Sequence, residues 1–267
     1  MEKLLDEIES YWSTRTEGYS EVNHKELAGT QKNAWLKVLT SQFPDKPKEE
    51  IRILDIGTGP GFFPVILAEA GYHVDAVDYT EGMLEKAKEN AGELCRNIHF
   101  QRMDAQKLEF EDNTFDVVIS RNLTWNLEHP DVAYREWVRV LKVGGKLLNF
   151  DANWYGYLYE EEQRKAYEND RKNVENNSLD DHYLCTDIER MERIALQVPL
   201  SKIRRPEWDV KTLREAGLLG IYTDTEIWKT VWSEEERLNY QSTPMFMVTG
   251  VKPDHFLNLP VVEGEKT

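Results

Sequence analysis

The chain has 267 residues, enough for one large domain with its own core, or for a domain carrying an insertion. Its 33 Lys and Arg stand against 49 Asp and Glu, a formal net charge of −16, and that field repels phosphate backbones and anionic membrane surfaces. Nucleic-acid and membrane partners are excluded on this ground, and an oxidised framework is disfavoured because Cys95 and Cys185 lie far apart and form no CxxC pair.

No charged-then-apolar leader opens the sequence and no apolar run is long enough to span a bilayer, so the expectation is a soluble, cytoplasmic protein. Residues 1–42 carry apolar side chains at three- and four-residue spacing and are expected to be helical, followed by a polar, Pro-containing linker over 41–50. Strands are expected at 51–56, 73–78, 97–102, 115–120 and 146–151, with helices at 61–70, 81–92 and 131–142 between them. Thr80 is the expected cap of the second of these helices, and Gly144-Gly145 the stop of the third. Strands alternating with helices predict a doubly wound parallel α/β sheet, whose ligands sit at the carboxyl ends of the strands. After Asp151 the rhythm breaks. Residues 152–205 read as charged, aromatic helices without strands, then a helix over 205–218 and two closing strands, GIYTDTEI and PMFMVTGV. The insertion is expected over the ligand edge as a cap, or else as an appendage that only covers the sheet.

The sharpest local signal is ILDIGTGPG, residues 53–61, where glycines at 57, 59 and 61 join the first strand to a helix. Glycine in such a turn permits positive φ and lets a ligand approach the backbone. The spacing is G-x-G-x-G, not the G-x-G-x-x-G of dinucleotide sites. Asp55 stands two places before the first glycine, where a carboxylate opposes a pyrophosphate and suits a cation. Asp78 closes the second strand, where a carboxylate can take a ribose, and Asp104-Ala105 follow the third, placed for an exocyclic amine. Asp78 could instead cap the following helix, and Asp104 could be a turn residue.

This pattern resembles the class I S-adenosylmethionine-dependent methyltransferases of the small-molecule, ubiquinone/menaquinone-biosynthesis-like type. ILDIGTGPG is similar to that family's first motif and VDYTEGMLEKAKENA to its second. MDAQKLEFEDNTFDVVIS matches the third and fourth, and WVRVLKVGGKLLNFD the fifth strand and its turn, so the resemblance runs from about residue 10 to 151 and weakens after 205. It implies a Rossmann-like seven-stranded sheet with an antiparallel last strand, with S-adenosylmethionine as cofactor. The implied divisions are an N-terminal helical gate (1–50), a cofactor-binding core (51–151), a helical cap (152–205) and the rest of the core (206–267). It further implies that Asp55, Gly57 and Gly59 approach the methionine part and that Asp78 holds the ribose. Tyr79 and Met83 would flank the adenine, Asp104 and Ala105 bind it, and Arg121 line the methionine end. Tyr11, Arg15 and Tyr19, in the opening YWSTRTEGY, are candidates to close over the cofactor.

Asn122, Trp125 and Asn126 after the fourth strand, and Asn153, Trp154 and Tyr155 after the fifth, are the candidate acceptor contacts. Trp125 and Trp154 could as well pack beneath the cap. The family often places a histidine in the fourth-strand loop; this chain has Asn122 and Asn126 there. Candidate catalytic groups are therefore sought elsewhere, at His182, Asp151, Tyr19 and His24. His182 and Cys185 form an H-x-x-C that falls short of a zinc set, and no metal is expected. The expected function is methyl transfer to a small, neutral or cationic acceptor. A non-catalytic cofactor-binding module and an NAD(P)-dependent oxidoreductase are the alternatives, and the sequence is silent on oligomeric state.

Overall fold

The computed structural model describes residues 4–183 and 186–254. Two helices lead in, α1 (Leu4–Ala28) and α2 (Gln31–Thr40). The first half of the sheet then follows: β1 (Arg52–Ile56), α3 (Phe62–Glu69), β2 (His73–Asp78), α4 (Glu81–Ala91), β3 (Ile98–Arg102), β4 (Phe115–Arg121), α5 (Pro130–Val140) and β5 (Leu141–Asp151). The insertion contributes α6 (Glu161–Asn176) and α7 (Ile188–Ala195). The chain returns through α8 (Glu207–Glu215), β6 (Leu219–Asp224), α9 (Trp228–Val231), α10 (Glu234–Asn239) and β7 (Phe246–Val251).

The seven strands lie in the order β3-β2-β1-β4-β5-β7-β6, parallel except that β7 runs antiparallel to both neighbours. This is the doubly wound Rossmann-like sheet, and its reversal of strand order falls between β1 and β4. Alternation along the central strands feeds two cores. Leu54, Ile56 and Val118 face α5 and α8, with Tyr134 and Trp137 filling that side. Ile53, Val117 and Ile119 face the opposite way, against Trp35, Leu39, Phe62 and Ile66. Strands buried on both faces read as continuous apolar runs, as IRILDI and FDVVIS do.

Three local expectations need correction. Gly144 and Gly145 do not stop the third helix, which ends at Val140 where Leu141 pairs with Phe115; the glycines sit in a bulge within β5. Thr80 occupies the cap position of α4, yet its side chain makes no capping bond, and its N–H instead donates to Asp78 Oδ1 (2.9 Å). The insertion reaches the strand ends at the β4 loop, where Pro199–Ser201 packs on Thr124–Asn126 and Arg205 pairs with Asp151, but none of its described residues walls the cavity that opens there. Its helix α7 packs Met191, Ile194 and Ala195 against Ile8 and Tyr11 of α1, so α1 is the covering element and α7 its brace.

Candidate active site

The carboxyl ends of β1, β2 and β4 open into a cavity of roughly 830 Å³ including its mouth, walled on the far side by α1. The β1–α3 turn is built so that the backbone itself forms a wall. Gly57 (φ 70°) and Gly59 (φ 53°) both sit in the left-handed region and both line the cavity. A Cβ on Gly57 would lie 2.7 Å from Leu123 Cδ2, so the Leu123 side chain of the β4 loop sits directly on this glycine. The turn's amides are already used. Gly57 N and Thr58 N donate to Val77 O, Gly59 N to Asp78 Oδ2 (2.9 Å), and Gly61 N to Thr58 O.

Asp78, Tyr79 and Met83 line the cavity, as do Asp104, Ala105, Arg121, Asn122, Asn126 and Tyr19. Burial pushes the Asp78 carboxyl up, opposed by the amides of Thr80 and Gly59. Asp104 Oδ1 accepts from Gln106 N (2.8 Å), an Asx turn that holds the carboxylate at the wall. Trp137 Nε1 donates to Ala105 O (2.9 Å) and fixes the next residue from behind.

Arg121 is not free to meet a ligand carboxylate. Its guanidinium forks onto both oxygens of Glu26 (2.8 and 3.0 Å), beneath the rings of Trp35, Phe62 and Phe63. Burial works against the charge, but Glu26 outweighs it and keeps Arg121 protonated. Glu26 belongs to α1, so this pair pins the covering helix to the end of β4. At the other end of α1, Glu9 accepts from Arg102 Nη2 (2.6 Å), while the same guanidinium lies over the Tyr79 ring.

Several expected site residues lie elsewhere. Tyr11 faces α7, and Arg15 is not on the cavity wall. Asp55 lies beneath the glycine turn, buried, accepting from Thr58 Oγ1 (2.6 Å), and burial raises its carboxyl to about 7. Asp151 is fully buried and ion-paired to Arg205 (2.7 Å), which also binds Asp209 (2.6 Å). Its oxygens further accept from Trp125 N and Trp154 Nε1. Asp151 therefore anchors the β4 loop and does not reach the cavity. Trp125 and Tyr155 pack on each other at 5.0 Å, and neither they nor Asn153 and Trp154 line the cavity. His24 is exposed, and His182 is bonded to Glu235 (3.0 Å) and Tyr240 (2.9 Å), so neither histidine lines the cavity. Cys185 lies outside the described residues, and among those described no group of His, Cys, Asp and Glu is placed to hold a metal.

The wall also contains residues the sequence reading passed over: Leu5, Ile8, Glu9 and Trp12 of α1, and Leu123, Leu127 and Glu128 of the β4 loop. The α1 set lies seven (Trp12), ten (Glu9), eleven (Ile8) and fourteen (Leu5) residues back from Tyr19, all on one helical face, so its phase was available in the sequence.

Residues 54–149 match the family model described as a methyltransferase domain. A demethylmenaquinone methyltransferase of Clavibacter sepedonicus is 39% identical over 97 residues, covering 36% of this chain and 39% of that protein. This chain spans about half the length of the curated relatives it matches. Among solved structures, phosphoethanolamine N-methyltransferase 2 of Haemonchus contortus, in complex with S-adenosyl-L-methionine, superposes with a TM-score of 0.60 at 20% identity. That match covers 83% of this chain and 52% of the other. A chain solved with the Haloferax volcanii Trm112 methyltransferase activator gives 0.59 at 20% identity, covering 91% and 97%. Identities this low show the fold. No described helix is long and apolar enough to cross a membrane.

Proposed function

We propose, from the match of residues 54–149 to a methyltransferase domain, that the chain moves a methyl group from S-adenosylmethionine to a small-molecule acceptor by in-line displacement. The observation that carries this is the state of the glycine turn. Its amide N–H groups are spent on Val77, Asp78 and Thr58, leaving none of them to cradle a pyrophosphate. Arg121, the one Lys or Arg among the described lining residues, is consumed by Glu26. A wall that offers carboxylates and spent amides suits a nucleoside carrying positive charge and disfavours a dinucleotide.

The fit to the cofactor is local. Gly57 and Gly59 leave backbone-level space, Asp78 presents carboxylate oxygens to a ribose, and Asp104 and Ala105 border an adenine between Tyr79 and Met83. The cofactor would supply an electrophilic methyl on sulfonium sulfur. The protein's part is to align the acceptor, with α1 covering the cavity and excluding water while residues 152–205 hold α1 in place. Tyr19 is the wall residue best placed to touch the reacting groups; burial pushes its hydroxyl up, opposed by Arg121, so it donates and does not act as base. The acidic charge and the carboxylates of the wall favour neutral or cationic small molecules over nucleic-acid or anionic-membrane partners, and the reading remains that of a cytoplasmic enzyme. Calorimetry with S-adenosylhomocysteine and with NADH tests the reading. The homocysteine product should bind, Asp78→Ala should weaken it at least tenfold, and NADH should give no heat; the reverse preference would refute the assignment.

A further inference from the structure

We infer that the acceptor is a small primary or secondary amine, received by the side-chain amide oxygens of Asn122 and Asn126; this rests on the methyltransferase reading above. Asn126 is only 3% exposed, lines the cavity, and its Oδ1 has no hydrogen-bond partner. Asn122 Oδ1 is likewise buried and unpartnered on the same wall. Asn122 is held in the left-handed region (φ 57°), with its N–H on Phe150 O and its carbonyl receiving Trp125 Nε1 (2.9 Å). The buried network of Asp151 and Arg205 fixes Trp125 in turn, so both amides are presented by a rigid loop. Two oxygens that can only accept suit a ligand bringing N–H or O–H groups.

Charge and proton chemistry select the amine. Glu9 is neutralised by Arg102 and Arg121 by Glu26, whereas Glu128 faces the cavity with no Lys or Arg partner among the described residues, adding to the Asp78 and Asp104 carboxylates that the cofactor would engage. Among the described residues the ion-pair partner of Glu128 is the exposed His129 imidazole, at 3.8 Å. A phosphorylated or carboxylated acceptor would meet these carboxylates with no spare cation, while an ammonium is drawn in. An aliphatic hydroxyl acceptor, far less acidic than an ammonium, needs a base, yet among the described residues no histidine lines the cavity and Tyr19 stays protonated. An amine needs only to lose its proton to water. Its nitrogen lone pair then forms the N–C bond while the bond from methyl to sulfur breaks with its electron pair remaining on sulfur. The positive charge passes to nitrogen, and the product ammonium releases a proton to solvent.

The test loads the full chain with S-adenosylhomocysteine and titrates ethanolamine, phenethylamine and histamine. O-phosphoethanolamine, phenylacetate and phenol are titrated in parallel, and the same compounds are assayed for transfer from trideuteromethyl donor by mass. At least one amine should bind and be methylated on nitrogen, at least tenfold better than every anion and phenol. Asn126→Leu should weaken amine binding at least tenfold and leave S-adenosylhomocysteine affinity within twofold, while Asn126→Asp should keep amine binding within threefold of wild type even though its buried carboxyl lowers the melting temperature. Binding and transfer confined to phenol or the anions, or absent from all three amines, overturns the inference. So does an Asn126→Leu variant that loses the homocysteine product in step with the amine. Failure of S-adenosylhomocysteine itself to bind would instead remove the methyltransferase reading underneath.

Discussion

Asp55 offers the most quantitative check. Its carboxyl is 2% exposed, its Oδ2 accepts from the Thr58 hydroxyl, and burial raises it from the ordinary 3.8 to about 7. The folded carboxyl therefore holds its proton more tightly than the unfolded one, so stability falls as pH rises from about 4 to about 7 and stays low above that. Roughly three pK units at 1.36 kcal/mol each give about 4 kcal/mol of pH-dependent destabilisation, an order-of-magnitude figure. An asparagine side chain in its place has the same shape and never ionises. Asp55→Asn should thus match the wild type near pH 4, exceed its stability by about 1.5 kcal/mol at pH 5 and by about 4 kcal/mol at pH 8.5, raising Tm at the higher pH by roughly 8–16 °C for a chain this size. Thermal unfolding of both proteins across pH 5–8.5 reads this out, with S-adenosylhomocysteine calorimetry on the same samples. A stability gap that does not change with pH would refute the argument. Because the carboxylate lies beneath the turn and off the wall, the product's affinity should change less than threefold; a larger loss would return Asp55 to the contact role its position in the sequence suggested.

Three further outcomes follow from the packing. Gly57→Ala places a methyl 2.7 Å from Leu123 at φ 70°, and should cost about 1–2 kcal/mol in urea unfolding and weaken product binding by displacing the β4 loop. Arg205→Ala strands Asp151 and Asp209, both fully buried, and should cost about 3–5 kcal/mol at pH 8, with a smaller loss at pH 5.5 where the carboxyls can protonate. Glu26→Gln keeps the fork's shape but leaves Arg121 facing a neutral partner. It should cost about 2 kcal/mol and raise protease cleavage within α1, whereas unchanged cleavage would show that the pair does not pin the helix.

Much of the frame was legible because its causes are local. The β-branched run before Gly57 and the apolar face of FFPVILAE state a strand and a helix within a dozen residues, and the glycines between them need positive φ wherever they fold. What escaped is set by partners distant in sequence. Leu141 enters β5 because Phe115 pairs with it, so the helix ends before the glycines that would otherwise stop it. Asp151 reads as a strand-end acid facing a ligand until Arg205, 54 residues later, takes it into the core. Tyr11 and Trp12 are adjacent aromatics on one helix, and only the docking of α7 against Tyr11 decides that Trp12 turns to the cavity. The insertion looked like a roof because a long N-terminal helix could not be placed by its own periodicity.

The continuity of α1 has a mechanical consequence. One unbroken rod carries both the residue forked to β4 at its far end and the residue clasped by Arg102 near its tip. Seventeen residues separate Glu26 from Glu9, a lever of about 25 Å at 1.5 Å per residue. Swinging that lever by about 10° around its fixed end carries the tip roughly 4 Å, so the vestibule unseals, without unwinding a single turn, when the Arg102 clasp and the packing of Ile8 and Tyr11 on α7 give way together.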